Sequence, residues 1–362
     1  MRALSGHRRV AVAMSGGVDS AVAALRLLAH HVEVVGLTLQ LRTEPDHPPV
    51  PSPEAIERAR AVARRLGIPF HLLDARDAFQ REVVDYFVAE YAAGRTPNPC
   101  VVCNRFVRFD LLVERAHELG AERLATGHYA RIRSTDGEYE LLRGVDLIKD
   151  QSYFLHALTQ DQLSRTYFPL GGLKKEDVRR IAARHDLPVA EQEESQDVCF
   201  LAGGDYREFL ERVAPESLEP GPIRDVHGTR IGEHRGLAAY TVGQRKGLDV
   251  SGAEPLYVLA LETSENALIV GPADQLGSDR CWVTSLHVIG SSMPKEPFRA
   301  EAQIRYRAQP TEVTVHPLPG NRADVRFDRT QRDITPGQFL VLYRGDLVLG
   351  GGVIASSLSR AR

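Results

Sequence analysis

Residues 10–20, VAVAMSGGVDS, constrain the fold of this chain more than any other stretch. Val10 to Met14 is a short apolar run with β-branched residues, the pattern of one buried strand. Ser15-Gly16-Gly17 breaks it, and Val18, Val22, Leu25 and Leu28 then recur at helical spacing. A strand, a glycine turn and a helix in succession place backbone N–H groups and a helix N-terminus around an anion. Paired glycines let the main chain approach phosphate oxygens where a Cβ would collide. Ser15 and Ser20 add hydroxyl groups. For the glycine pair taken alone, a plain strand-to-helix turn with Asp19 near the N-cap fits equally well.

Strand and helix signals keep alternating to about residue 205. Strands are expected at 33–40, 69–73 and 123–126. Ser52-Pro53-Glu54 is a helix start, and Gly67 ends that helix. Phe79, Val83, Phe87 and Tyr91 mark one face of a helix closing near Gly94, and another helix spans 109–119. This rhythm predicts an α/β domain over 1–205, a doubly wound parallel sheet with ligands at the carboxyl ends of its strands. Segments 129–133 and 139–143 read as a hairpin across Asp136-Gly137, and 174–185 as a short amphipathic helix. Beyond Phe209, short strands with Gly/Pro turns take over. They predict a small mixed central domain at 206–278 and an antiparallel β-barrel at 279–362.

A length of 362 residues suits two or three domains. No apolar run approaches the roughly 18 residues of a membrane span, and the run after Arg2, Arg8 and Arg9 is too short for a signal peptide. Four cysteines in such a chain make no disulfide framework, so a reducing cytoplasm is expected. Residues 281–362 carry 11 Lys and Arg against 7 Asp and Glu in a chain of net charge −3, an asymmetry that suits a C-terminal segment facing a polyanion. Oligomeric state is not legible.

The glycine loop lacks the lysine of G-x-x-x-x-G-K-[ST], so it is not the loop of kinases and GTPases. SGGVDS resembles instead the PP-loop of ATP pyrophosphatases, which adenylate an oxygen and release pyrophosphate; Asp19 would then help hold Mg²⁺ and the phosphates. Residues 94–104 read GRTPNPCVVCN. Pro97 and Pro99 argue against helix and for a stiff exposed loop carrying Cys100 and Cys103. Cys199 lies in SQDVCF. A C-x-x-C pair alone is zinc, redox or chance, and no second pair completes a zinc site. Next to an adenylating loop the cysteines make chemical sense. AMP on a carbonyl oxygen is a good leaving group, a persulfide can displace it, and a second thiol can free the sulfur by thiol–disulfide exchange.

SGGVDS, GRTPNPC-x-x-CN, LATGHYAR, KDQSYFL, SQDVCF, YTVGQRKGL, RYR and TPGQF occur in that order. Together they resemble the tRNA-specific 2-thiouridylases, which thiolate the wobble uridine of tRNA, and the likeness runs almost end to end. It implies that Ala13, Met14, Ser15, Gly16, Gly17, Val18, Asp19 and Ser20 bind ATP, with Leu39 and Gly127 on the adenine side. Cys199 would bear a persulfide received from a sulfur carrier or cysteine desulfurase, and Cys103 would be the second catalytic thiol, closing a disulfide on Cys199. Asn98, Pro99 and Cys100 would meet the flipped uracil. His128, Lys149, Asp150, Gln151, Arg305, Tyr306 and Gln338 would contact tRNA. Taken singly, His128 is as readily a core histidine and Lys149-Asp150-Gln151 a solvated turn. Arg305 and Arg307 share one strand face, which suits phosphates. Many family members carry aspartate where this chain has Cys100. The extra thiol makes Cys100, Cys103 and Cys199 possible ligands of an iron–sulfur cluster. Cys281, beside Trp282, reads as core.

Overall fold

The computed structural model describes residues 9–43, 48–192, 198–201, 203–250, 254–290 and 293–356. Arg2, Arg8, Pro45 and the Ser195, Gln196 and Asp197 of SQDVCF lie outside the described residues.

The first part of the chain forms β1 (Arg9–Ala13), β2 (Glu33–Gln40), β3 (Phe70–Asp74), β4 (Arg123–Ala125), β5 (Ala130–Thr135), β6 (Glu138–Arg143) and β7 (Thr166–Tyr167). Five of these build a sheet in the order β3-β2-β1-β4-β7, with every pairing parallel. β1 sits in its middle and is buried on both faces. Val10 and Val12 enter one hydrophobic core and Ala11 the other, as a parallel central strand requires. The chain builds β2 and β3 outward on one side of β1, then places β4 on the other. The reversal puts the ligand crevice between the carboxyl ends of β1 and β4.

Two helices frame that crevice. α1 (Val18–Leu28) packs through Ala21, Val22, Ala23, Ala24 and Leu27, and the small side chains let it lie close on the sheet. α2 (Pro53–Leu66) starts as its sequence dictates. Ser52 Oγ accepts from Ala55 N–H at 3.3 Å, Pro53 opens the first turn, and Gly67 closes the helix at φ 68°.

The segment expected as a stiff loop departs from that reading. The loop holds to Asn98, but Pro99 opens a helix, Pro99–Val102, which widens into a π-turn, Cys103–Arg108, and continues as Phe109–Glu118. Proline bars helix upstream of itself, yet at the first helical position it gives up an N–H the helix does not use. Cys100 and Cys103 therefore stand one turn apart on a helix.

β8 (Gly221–Arg224), β9 (Arg230–His234), β10 (Tyr257–Glu262) and β11 (Ala267–Gly271) form the central sheet, ordered β10-β11-β8-β9. β12 (Ser278–Val288), β13 (Phe298–Gln303), β14 (Thr311–Leu318), β15 (Arg322–Gln331), β16 (Phe339–Arg344) and β17 (Leu347–Ser356) follow. These six close into an antiparallel barrel, because β12 pairs with both β15 and β17. Cys281 is fully buried in the barrel core. The β5–β6 hairpin turns through Asp136 and Gly137, both at positive φ, and then joins the barrel sheet by pairing Leu142 with Leu347. A hairpin inside the first 205 residues thus belongs to the barrel's sheet. Arg305–Arg307 also departs from expectation: it is a turn after β13, with Ala308 N–H bonded to Arg305 O, and Arg307 sits at φ 63°.

Candidate active site

The glycine loop follows β1 and opens α1 without a side-chain cap, which leaves the first N–H groups of that helix unclaimed by a capping side chain. Gly16 has φ 78°, and a Cβ there would lie 2.2 Å from Ala55 O. Glycine is obligatory at that position because the loop runs against the start of α2, where Arg58 Nε also donates to Gly16 O at 3.2 Å. Around Gly17 there is room: a Cβ would meet just Ser15 Oγ, at 3.4 Å. Ser20 holds the loop's shape, accepting from Ser15 N–H and donating to Gly17 O at 3.0 Å. Thr38 Oγ1 donates to Met14 O at 2.6 Å, tying the end of β1 to β2. Leu39 is buried in the core on the β2 side.

Gly127, just past β4, faces the loop across the crevice. A Cβ there would lie 2.9 Å from Asp19 C and Ser20 N, so the two segments touch backbone to backbone. Asp19 itself accepts from Lys175 Nζ at 2.7 and 2.8 Å and from the Tyr129 hydroxyl at 2.8 Å. Sequence reasoning missed Lys175 and Tyr129, because nothing local marks a lysine 156 residues away as the partner of Asp19.

The three thiols lie near enough to act on one another's charge. Cys103 is buried, Cys100 half-buried and Cys199 exposed; none is in a disulfide. Burial pushes Cys100 up to about 12, with Cys199 and Cys103 adding to the rise. Although Cys199 reaches solvent, the protein packed around it, and then Cys103, push its thiol up to about 11, while Arg108 opposes the rise. The Cys103 thiol is raised by burial as well, against the pull of the Arg108 charge. Each sulfur feels another, so the sequence segments around 100 and 199 do meet. At neutral pH all three are thiols.

His128 stands between loop and thiols. Its Nδ1 lies 2.7 Å from Thr126 Oγ1, and its ring packs beside Phe109 and Phe168. Burial first, then Arg108, push it down to about 3, so the imidazole is neutral at physiological pH. Among the described residues no group of three His, Cys, Asp or Glu side chains is arranged to hold a metal ion.

The residues expected on tRNA divide into inward and outward sets. Asp150 is buried. It accepts from Gly144 N–H, Ser152 N–H and Ser152 Oγ, and pairs with Arg143 at 3.2 Å, while Arg143 lies over the Tyr343 ring. Gln151 exchanges two hydrogen bonds with the Tyr129 backbone, N–H to O at 2.9 Å and Oε1 to N–H at 3.0 Å. Gln338 donates to Thr96 O at 2.9 Å and to Pro97 O at 3.3 Å, gripping the strap that carries Asn98 and Pro99. Thr96 N–H donates in turn to Pro336 O, and Thr96 pairs with Thr241 of the central domain at 3.1 Å. These three side chains point into the protein, where they set the shape of the crevice rim. Arg305 is exposed, with Asp333 3.6 Å away, and Tyr306 packs on Phe154 at 4.4 Å.

A family model described as the tRNA methyl transferase HUP domain matches residues 8–203. The PRC-barrel domain of that family matches 207–272, and an aminomethyltransferase beta-barrel domain matches 278–354. The chain is 48% identical over 354 residues to the tRNA-specific 2-thiouridylase MnmA of Moorella thermoacetica, covering 95% of this chain and 99% of that one. It is 49% identical over 351 residues to the protein of that name from Chloroflexus aurantiacus, covering 96% and 98%. With the one from Carboxydothermus hydrogenoformans it shares 44% over 361 residues, 98% and 99% of the two chains.

Proposed function

The chain belongs to the tRNA-specific 2-thiouridylase family of tRNA sulfurtransferases, and we propose that it thiolates the wobble uridine through an adenylated intermediate and a Cys199 persulfide. One observation carries this reading. Gly127 touches the glycine loop, the Arg108 charge acts on the neighbouring His128 and on Cys103, and this chain of neighbours supports a reading in which loop and thiols serve one site.

ATP enters with its phosphates on the N–H groups of 15–18 and the start of α1. Asp19 is the loop carboxylate that would hold the Mg²⁺ of the nucleotide, exchanging its contact with Lys175. The strap at 95–98 presents Asn98, Pro99 and Cys100 to the extruded uracil. Uridine O2 attacks the α-phosphorus and releases pyrophosphate; the loop's N–H groups stabilise the charge that builds there. The terminal sulfur of the Cys199 persulfide then bonds to C2, and AMP leaves with O2. Exposure of Cys199 suits it to receive sulfur from a carrier or cysteine desulfurase. Cys103 loses its proton and attacks Cys199 Sγ. A Cys103–Cys199 disulfide forms, and the Sγ–S bond breaks with its electron pair on the sulfur left at C2. An external thiol reductant resets the pair.

On tRNA, His128, Lys149, Arg305 and Tyr306 are the proposed contacts, and Asp150, Gln151 and Gln338 act from within by holding the rim. The cytoplasm is the proposed setting; among the described residues no helix is long and apolar enough to cross a membrane.

The test is anaerobic purification with an iron assay, followed by single-turnover thiolation of unmodified tRNA from preloaded persulfide. Iron-free protein that thiolates once and ends with a Cys103–Cys199 disulfide is the expected result. Activity that tracks iron would overturn the persulfide route. Full turnover by Cys103→Ser and Cys199→Ser would point instead to a PP-loop ligase using another nucleophile.

A further inference from the structure

Building on the adenylation reading above, we propose that Asp146 is a positioning residue coupling its two substrates. Through Asp146, tRNA seated on the loop 144–151 controls the Lys175–Asp19 ion pair, and so the affinity of the glycine loop for Mg·ATP.

The loop has a fixed base and an exposed tip. Gly144 packs so closely that a Cβ there would lie 2.8 Å from Tyr129 O, and Val145 N–H donates to Gly171 O at 2.9 Å. At the tip, Leu147 is 69% and Ile148 78% exposed, the two most exposed large hydrophobic side chains among the described residues. Lys149, a proposed tRNA contact, follows directly. A macromolecule arriving here loads the tip first.

Asp146 ties that tip to the protein with both carboxylate oxygens. Oδ1 accepts from Ile148 N–H at 3.2 Å and from Lys149 N–H at 3.3 Å. Oδ2 crosses to the helix Lys175–Arg184 and accepts from Lys175 N–H at 2.9 Å. Lys174, the N-cap of that helix, makes no side-chain cap, so Asp146 supplies one from outside, with its charge at the favourable end of the helix dipole. Lys175 is therefore gripped twice, its backbone by the loop and its ammonium by Asp19 at 2.7 and 2.8 Å. The other end of the loop reaches the same carboxylate. Gln151 bonds twice to the Tyr129 backbone, and the Tyr129 hydroxyl donates to Asp19 at 2.8 Å.

The ion pair is the element with two arrangements. Lys175 is buried, and a buried ammonium needs an anion. In this structure the anion is Asp19; the negative charge of a nucleotide can take its place once Asp19 turns to Mg²⁺. A load that shifts Asp146 moves the Lys175 backbone and spoils the reach of its ammonium to both Asp19 oxygens. tRNA drawing on the tip thus loosens the pair and frees Asp19 for the nucleotide. Linkage makes the effect reciprocal, so bound nucleotide tightens tRNA by the same factor. The order suits the chemistry, because an α-phosphorus activated with no uridine in place is open to water.

The test measures equilibrium binding of α,β-methylene-ATP with Mg²⁺, an analogue that cannot be cleaved at the adenylation step, with and without unmodified tRNA. Wild type, Asp146→Ala, Asp146→Asn and Tyr129→Phe are compared. In wild type, tRNA is expected to tighten the analogue by at least about fivefold. In Asp146→Ala that ratio should drop below about twofold, because the tRNA-free affinity rises toward the tRNA-bound value. Loss of a merely structural cap would lower the tRNA-free affinity, and that result would overturn the proposal. Tyr129→Phe should also shrink the ratio, whereas Asp146→Asn, which keeps an oxygen acceptor, should retain part of it. A ratio near one in wild type, or the wild-type ratio preserved in Asp146→Ala, would likewise sink the coupling. If Asp146→Ala fails to fold, unchanged ratios in both Asp146→Asn and Tyr129→Phe would do so. Single-turnover thiolation by wild type separates the two levels: its failure refutes the adenylation reading and the coupling with it, while thiolation with a ratio near one refutes the coupling alone.

Discussion

Replacing Gly127 by alanine tests whether the crevice between β1 and β4 is the ATP site. The added Cβ would lie 2.9 Å from Asp19 C and Ser20 N and 3.0 Å from Asp19 Cβ, where ordinary contacts begin at 3.4 Å. All three neighbours are backbone or Cβ, so no side chain can swing aside. The start of α1 and the segment after β4 must part by about 0.5 Å. Overpacking of this kind costs about 1–3 kcal/mol. The movement falls on the anion-binding N–H groups, and a misplacement near 1 Å can lower a rate about 100-fold, so roughly tenfold is expected here. The assay is tRNA-dependent ATP–pyrophosphate exchange, with thermal unfolding in parallel. The expected result is about tenfold slower exchange together with a lower unfolding midpoint. Gly172→Ala is the control, since nothing lies within 4 Å of a Cβ there. Wild-type exchange in Gly127→Ala would refute the placement of ATP, even if the midpoint fell.

Other positions give sharper splits between stability and activity. Cys281→Ala in the barrel core should cost about 1 kcal/mol in chemical denaturation and leave single-turnover thiolation intact. Gln338→Ala removes both hydrogen bonds to the 95–98 strap; thiolation should fall about 5–30-fold while equilibrium ATP binding holds. His156 is buried, with Nδ1 2.7 Å from Tyr153 O, and burial pushes it down to about 4. The unfolded chain binds its proton near pH 6.5 and the folded one does not, so stability is lost as pH falls from 6.5 toward 4, by about 1.4 kcal/mol per pH unit. His156→Gln should make the unfolding midpoint fall less steeply with pH across that window, the remaining slope including that of His128.

What could be read from the chain was set locally. The Ser52 cap, the Gly67 stop and the break at Ser15-Gly16-Gly17 each work through residues within one turn, and all appear at those positions. β14 and part of β12 alternate inward and outward, so their pattern survives in the sequence, whereas β16 is buried from Phe339 to Tyr343 and reads as a continuous apolar run. What escaped depends on partners far along the chain. Asp150 reads as a solvated turn until Arg143, Tyr343 and the Gly144 N–H close over it. Attachment of the β5–β6 hairpin to β17 spans about 200 residues and leaves no mark on either segment. The prolines misled for a different reason. Pro97 and Pro99 do bar helix, but in the upstream direction, and the cysteines lie downstream.

The strap at 95–98 ties these observations together. Arg95 N–H donates to Glu90 O at the end of the preceding helix, and beyond it the strap is held by neighbours from other domains. Pro336 O and Gln338 of the barrel hold it on one side and Thr241 of the central domain on another, while Pro99 anchors its end into the helix bearing Cys100 and Cys103. A Cβ on Gly337 would press within 2.8 Å of Thr96 N, so barrel and strap are in backbone contact. Any load that shifts the barrel therefore moves the residues next to the thiols directly. On the function proposed above, the two later domains would form part of the active-site wall, and tRNA drawing on the barrel would shift the strap that leads into the helix of Cys103.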